Sequence, residues 1–249
     1  MFLFERRELK AIPTSSNTSM VDQLRTQALS IHLTLLDYYG YPKWRNPLPP
    51  LDELISTILS QNTNDSNRDR AFDALRQRFP GWEAVCDAKP EEVIDAIRSA
   101  GLANQKGPRI QKVLRQILEN HGEFNLDFLK EKSPIEARDW LMQFKGVGPK
   151  TAAIVLLFSL GMPAFPVDTH IYRVSGRVGL RPPSMNANQA HAHLVELFLP
   201  EAYYPVHLNL IRLGREICQA RKPLCAQCPL QHLCKYYADK INQSTSQPE

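Results

Sequence analysis

The chain has 249 residues, 43% of them hydrophobic, and its 30 lysines and arginines against 26 aspartates and glutamates give a formal net charge of +4. That is enough apolar material for one large or two modest cores, and a charge compatible with an anionic partner on one face but too weak to define a nucleic-acid-binding protein by itself. Five cysteines, an odd number with four crowded near the C-terminus, exclude a secreted disulfide scaffold; Met1 to Lys10 holds only Phe2-Leu3-Phe4 as an apolar run, too short for a signal h-region, and no run reaches the length of a membrane span, so an intracellular, soluble protein is expected, with no membrane partner.

Residues 1–18 end in Pro13-Thr14-Ser15-Ser16-Asn17-Thr18 and read as a flexible lead-in. Ser19-x-x-Asp22 can cap a helix whose apolar face holds Leu24, Ala28, Ile31 and Leu35 and which ends at Gly40. The proline-rich stretch Tyr41 to Pro50 is a plausible crossing between domains. Helical spacing resumes with Leu54, Ile55, Ile58 and Leu59, and again with Ala71, Phe72, Leu75 and Phe79. Pro90-Glu91-Glu92 opens a further helix carrying Val93, Ile94 and Ile97, closed by Gly101. Ile110, Val113, Leu114, Ile117 and Leu118 make the next, closed by Gly122. No segment alternates with period two, so the fold class is all-α.

Two polar turns interrupt this run, Ser60-Gln61-Asn62-Thr63-Asn64-Asp65 and Gly101-Leu102-Ala103-Asn104-Gln105-Lys106. Composition alone makes them solvated linkers. Their amide and leucine side chains also suit a protein that must fill the gap left when a base is flipped out of a duplex.

Ser133-Pro134-Ile135-Glu136 has the form of a capping box with proline at the first helical position, opening a helix that turns Trp140, Leu141 and Phe144 inward and ends at Gly146. Gly146 and Gly148 flank Val147, which can anchor a tight hairpin, and Pro149 restarts a strongly apolar helix that Gly161 and Pro163 stop. Glycines before a helix start leave backbone N–H groups pointing outward at the positive end of the helix dipole, a phosphate seat that reads no sequence. The bland alternative is an ordinary helix–helix connection. Lys150, two residues beyond the hairpin, shifts the balance, because a helix start disfavours its cation and helps expose a nucleophilic amine. Asp168 opens the next helix, Thr169 to Gly176, as an N-cap, and a capping carboxylate stays ionised and fixed in direction. Facing Lys150, it can take the amine's proton or steady a developing sugar cation.

Asn188 to Leu199 and Ala202 to Ile217 read as two more helices, in which His191, His193 and His207 have no metal spacing. Cys218-x6-Cys225-x2-Cys228-x5-Cys234 comes next, among Arg215, Arg221, Lys222 and Lys235. Four thiols so close are a metal site, either zinc or an iron-sulfur cluster, and a zinc ribbon more usually shows two C-x2-C pairs where this run has one. Cys86 stands apart as a small core residue. The segment from Asp239 to Glu249 reads as a disordered tail.

The run from Lys145 to Val178, with the four-cysteine spacing, resembles the helix-hairpin-helix, Gly/Pro-Asp loop and [4Fe-4S] loop of the endonuclease III family of DNA glycosylases, and the resemblance spans roughly Ser19 to Tyr237. It departs at Phe144-Lys145-Gly146, where the family often has Leu-Pro-Gly, and at Pro149, which replaces a frequent basic residue. The resemblance implies that Lys150 attacks the sugar C1′ with help from Asp168, and that Cys218, Cys225, Cys228 and Cys234 hold a [4Fe-4S] cluster. It puts Leu102 at the family's wedge position and leaves either Gln61 or Asn62 as the amide that fills the vacated base space. Lys145, Gly146, Val147, Gly148 and His170 join the DNA-binding set. Lys106, Lys112 and Lys145 are either phosphate contacts or exposed helix charges.

Two helical domains with a cleft between them are expected: a barrel over 43–162, with the helix-hairpin-helix at 133–160, and a cluster domain made of 19–42 plus 163–237, with 238–249 as tail. The expected activity is a base-excision-repair DNA N-glycosylase with AP lyase action through a Schiff base, on oxidised pyrimidines. Its partner is double-stranded DNA containing damaged bases or abasic sites, bound by a monomer. The competing readings are a monofunctional mismatch glycosylase of the same superfamily, against which the lysine at 150 argues, and a non-catalytic DNA-binding protein with a structural metal site.

Overall fold

The computed structural model describes residues 19–43 and 47–245; the expected lead-in at 1–18 lies outside them. Among the described residues the chain is all-α, with twelve α-helices, short 3-10 turns and no strand. No helix among them is long and apolar enough to cross a membrane.

Helix α1 (Met20–Tyr39) starts where Ser19 accepts the Asp22 amide and stops at Gly40. Helices α2 (Pro50–Ser60), α3 (Asp65–Arg78), α4 (Trp82–Asp87), α5 (Pro90–Ala96) and α6 (Ala103–His121) come next, then α7 (Pro134–Met142) and α8 (Pro149–Phe158) on either side of the hairpin. The capping box at Ser133 is formed in both directions, Ser133 Oγ accepting from the Glu136 amide and the Glu136 carboxylate from the Ser133 amide. Helices α9 (Thr169–Val178), α10 (Ala187–Val195), α11 (Tyr203–Glu216) and α12 (Lys235–Thr245) complete the fold.

The buried apolar side chains form two clusters. One gathers α2 to α8 through residues such as Leu54, Ile58, Leu75, Ile110, Leu114 and Leu141. The other joins α1 to the C-terminal helices through Ile31, Leu35, Ile171, Val174, Leu194 and Leu210. Helix α8 contributes Val155 and Leu156 to the first and Leu157 and Phe158 to the second. Each fully buried leucine or phenylalanine contributes about 2 kcal/mol, so α8 is anchored from both sides. That holds its first turn, where the hairpin delivers Lys150, in a fixed place.

Three expectations need correction, and one helix has no signal in the sequence. Helix α7 ends at Met142 rather than Gly146, because the chain tightens so that Phe144 can turn into the core, with the Val147 amide donating to Phe144 O at 3.0 Å. The second polar turn shrinks to Gly101-Leu102, since Ala103 already begins α6. Helix α4, six residues long, is too short to have shown a period; Trp82 anchors it by donating Nε1–H to Asp52 Oδ1 at 2.8 Å. The C-terminal segment is helical to Thr245, its start held where the Tyr237 and Ala238 amides donate to Cys234 O and where Arg177 lies 4.9 Å over the Tyr236 ring.

Candidate active site and cluster loop

The hairpin is built on one left-handed residue. Gly146 has φ +91, and a Cβ there would lie 2.6 Å from Arg109 Cδ. Gly148 differs: its φ of −101 is open to any residue, and a Cβ there would meet nothing within 4 Å. The glycine at 146 is demanded by its backbone conformation and by the Arg109 side chain, while the space beside Gly148 is open. Val147 between them is buried, as the sequence implies, and Lys145 is exposed. Gly148 is the N-cap of α8, Pro149 its first residue and Lys150 its second, with the Lys150 side chain exposed. The unpaired amides of that first turn carry the positive end of the α8 dipole.

Asp168 caps α9: its Oδ1 accepts the Ile171 amide at 2.8 Å, and Oδ2 has no hydrogen-bond partner among the described residues. The carboxylate is half-buried and directional. Lys150 and Asp168 form no direct ion pair there; they stand at the starts of two successive helices, joined by the loop Ser159 to Val167.

That loop is gripped by two imidazoles. His191 Nδ1–H on α10 donates to Phe165 O at 3.3 Å, and His207 Nδ1–H on α11 donates to Pro166 O at 2.9 Å. Burial lowers the His191 pKa below its ordinary value, with the nearby Lys150 charge as a smaller contribution in the same direction. His193 Nε2–H similarly reaches Leu180 O at 2.8 Å. None of these roles has a sequence signal, because each partner is a backbone carbonyl far away in the chain. His170 is half-buried, its Nδ1 lying 3.1 Å from Arg173 Nη2.

The first of the two interrupting turns lies beside the hairpin. Gln61 Nε2 donates to Gly146 O at 3.0 Å, while its Oε1 accepts from Arg109 Nη1 at 2.8 Å. Gln61 is therefore committed to the hairpin. Asn62, the next residue, is exposed with φ +54. Leu102 is 47% exposed with φ +51. These two are the only non-glycine residues with positive φ among those described. Lys112 is exposed, but the expectation that Lys106 is a phosphate contact or exposed charge is wrong: Lys106 is only 2% exposed and its ammonium is engaged inside the protein.

Cys218, Cys225, Cys228 and Cys234 line one cavity, with Arg177 and Ile217 among its walls. Among the described residues no group of three or more histidines, cysteines, aspartates or glutamates converges as a single ion requires. Four thiols lining one cavity supply the four-thiolate donor set that a [4Fe-4S] cluster takes. Arg173 Nε and Arg177 Nη1 both donate to Cys218 O, at 2.9 and 3.4 Å, and Arg177 Nη1 also lies 3.3 Å from Cys218 Sγ. Helix α9 thus carries Asp168 at its start and, along its length, two guanidiniums that hold the cysteine loop.

A hairpin seat, an amine and a carboxylate at helix starts, and a cysteine loop packed on the same helix define a helix-hairpin-helix DNA-repair protein. The model of the HhH-GPD superfamily base excision DNA repair protein matches residues 55–200, and that of the iron-sulfur binding domain of endonuclease III matches 218–234. The chain belongs to the HhH-GPD superfamily of base excision DNA repair proteins. It is similar to endonuclease III of Thermotoga maritima, 33% identical over 197 residues that cover 79% of this chain and 88% of the relative. With endonuclease III of Sulfolobus acidocaldarius it is 36% identical over 190 residues, 76% and 82% of the two chains. Among solved structures it resembles a trapped endonuclease III–DNA covalent intermediate, with a TM-score of 0.76, 27% identity and coverage of 87% and 98%. The cofactor is a [4Fe-4S] cluster.

Proposed function

We propose that this chain is a DNA N-glycosylase with AP lyase activity that removes oxidised pyrimidines from duplex DNA, working as a monomer at a cleft between a helical barrel (43–162) and a cluster domain (19–42 plus 163–237). The observation that carries it is the pair of helix starts: an exposed Lys150 amine in the first turn of α8, and an Asp168 carboxylate fixed by the Ile171 amide, its second oxygen without a partner among the described residues.

In this reading the Gly146–Gly148 backbone and the first turn of α8 bind a phosphate, and Lys145 adds charge. The damaged nucleotide leaves the stack, Leu102 and an amide from the Asn62 turn fill the gap, and C1′ comes to Lys150. Asp168 takes the proton that makes Lys150 a free amine. The Nζ lone pair forms a bond to C1′ as the C1′–base bond breaks, the base leaving with the electrons of its own broken bond and taking up the proton that Asp168 holds. Ring opening gives the Schiff base, and loss of a C2′ proton then expels the 3′ phosphate by β-elimination. Cys218, Cys225, Cys228 and Cys234 would hold the cluster, which supplies a covalent brace for the basic loop that Arg173 and Arg177 seat on α9 and enters none of these steps.

The test is borohydride trapping on duplexes that each carry one oxidised pyrimidine or one abasic site. The intact chain should form a permanent protein–DNA crosslink, and Lys150→Gln should bind the same duplexes without crosslinking. Binding without trapping on every substrate by the intact chain would overturn the lyase reading.

A further inference from the structure

Lys106 is the one buried lysine among the described residues. An ammonium taken from water costs several kcal/mol unless its protons find acceptors. Here Nζ donates to Leu59 O at 2.7 Å and to Ala100 O at 2.8 Å. Both acceptors belong to helix ends: Leu59 lies in the last turn of α2, and Ala100 closes the 3-10 turn Arg98–Ala100. Carbonyls at such ends carry partial negative charge and lack intrahelical partners. No carboxylate among the described residues pairs with this cation, and burial lowers its pKa, the Arg109 charge adding to the effect.

Each of these carbonyls stands just ahead of a turn residue in a costly conformation. Leu59 is three residues before Asn62, and Ala100 is two before Leu102, the two non-glycine residues held at positive φ. A side chain in that region costs on the order of 1 kcal/mol and persists only where the surroundings enforce it. The Lys106 amide also donates to Leu102 O at 2.9 Å, so one residue holds the Leu102 turn by its main chain and both turns by its side chain. One turn along α6, Arg109 ties Gln61, and through it Gly146, to the same helix.

We propose that Lys106 is a positioning residue: its ammonium locks the Asn62 and Leu102 turns into one rigid unit, so that both side chains enter the stack together from fixed places. The proposal deepens the glycosylase reading and rests on it for the purpose of that insertion. Opening a base stack costs a few kcal/mol, and a wedge on a yielding turn would retreat instead of parting the bases.

The test uses the full chain and a duplex with 2-aminopurine beside a tetrahydrofuran abasic analogue, which cannot react. Saturating intact protein should raise the 2-aminopurine fluorescence as the neighbouring stack opens. Lys106→Met, which keeps length and loses the charge, should bind with a rise about fivefold smaller (about 1 kcal/mol of lost order), while borohydride trapping on single-stranded abasic DNA, where no stack resists, stays at the intact level. In a Leu102→Ala background Lys106→Met should add little, because the two act through one event. Additive losses, an undiminished rise, or equal loss of single-strand trapping would overturn the proposal and leave Lys106 a stability residue. Where Lys106→Met fails to fold, Lys106→Gln, neutral and one bond shorter than the lysine that reaches both carbonyls, carries the same comparison: a smaller rise supports the lock and an undiminished rise overturns it. A fluorescence rise in an intact chain that traps no DNA would instead remove the lyase reading and leave the positioning role standing.

Discussion

Gln61 and Gly146 are joined across 85 positions of sequence by a 3.0 Å hydrogen bond from the glutamine Nε2 to the glycine carbonyl. With Arg109 on its other end, Gln61 is a strut for the hairpin, whereas Asn62 beside it is exposed. Asn62→Ala should therefore slow excision of paired lesions with little change in Tm. Gln61→Ala should lower Tm, since losing a hydrogen-bonded strut costs about 1 kcal/mol, and should weaken duplex binding in an electrophoretic shift assay. The opposite pattern would make Gln61 the inserted amide.

Gly146 and Gly148 should respond differently to alanine. At Gly146 the new Cβ meets Arg109 and a φ of +91, so the variant should unfold at lower temperature by roughly 1–3 kcal/mol. Gly148→Ala has open space and an extended backbone, and should lose only a few tenths to about 1 kcal/mol as a poorer N-cap. Its loss should appear in duplex affinity, measured by fluorescence anisotropy. Equal affinity to the intact chain would place the phosphate elsewhere.

Leu102→Ala should slow processing of base-paired lesions more than of an abasic site, which has no base to extrude. Single-turnover rates on the two duplexes decide this, and equal losses would make Leu102 a packing residue.

Asp168→Asn should keep the Ile171 cap, because an amide oxygen can accept where the carboxylate does at 2.8 Å, so thermal stability should fall by no more than about 0.5 kcal/mol. Base removal should slow by about a hundredfold or more. A rate close to that of the intact chain would show that the carboxylate has no part in the chemistry.

Purified protein should be brown and contain iron and acid-labile sulfide, about four of each per chain. Cys225→Ser should lower stability and duplex affinity, read by thermal melts and anisotropy, while residual protein still crosslinks through Lys150. Colourless protein with one zinc per chain would contradict the cluster.

The sequence by itself determined what depends on neighbours within a few residues. Ser19, Ser133 and Asp168 each cap the helix that begins beside them, and Gly40 and Gly122 end theirs, since a cap closes over three residues of chain. The apolar face of each long helix, the hairpin and the four-cysteine spacing were legible for the same reason. Only the tertiary structure decided which polar side chains face inward. Lys106 and Lys112 sit on one helix with like chemistry, yet one is buried against Leu59 O and Ala100 O and the other is exposed. His191 and His207 grip carbonyls of the loop before Asp168 from 26 and 41 positions away. Gln61, not Asn62, was drawn to the hairpin. A backbone carbonyl looks the same at every position of a sequence, so a bond to one becomes visible only when packing has brought its partner there.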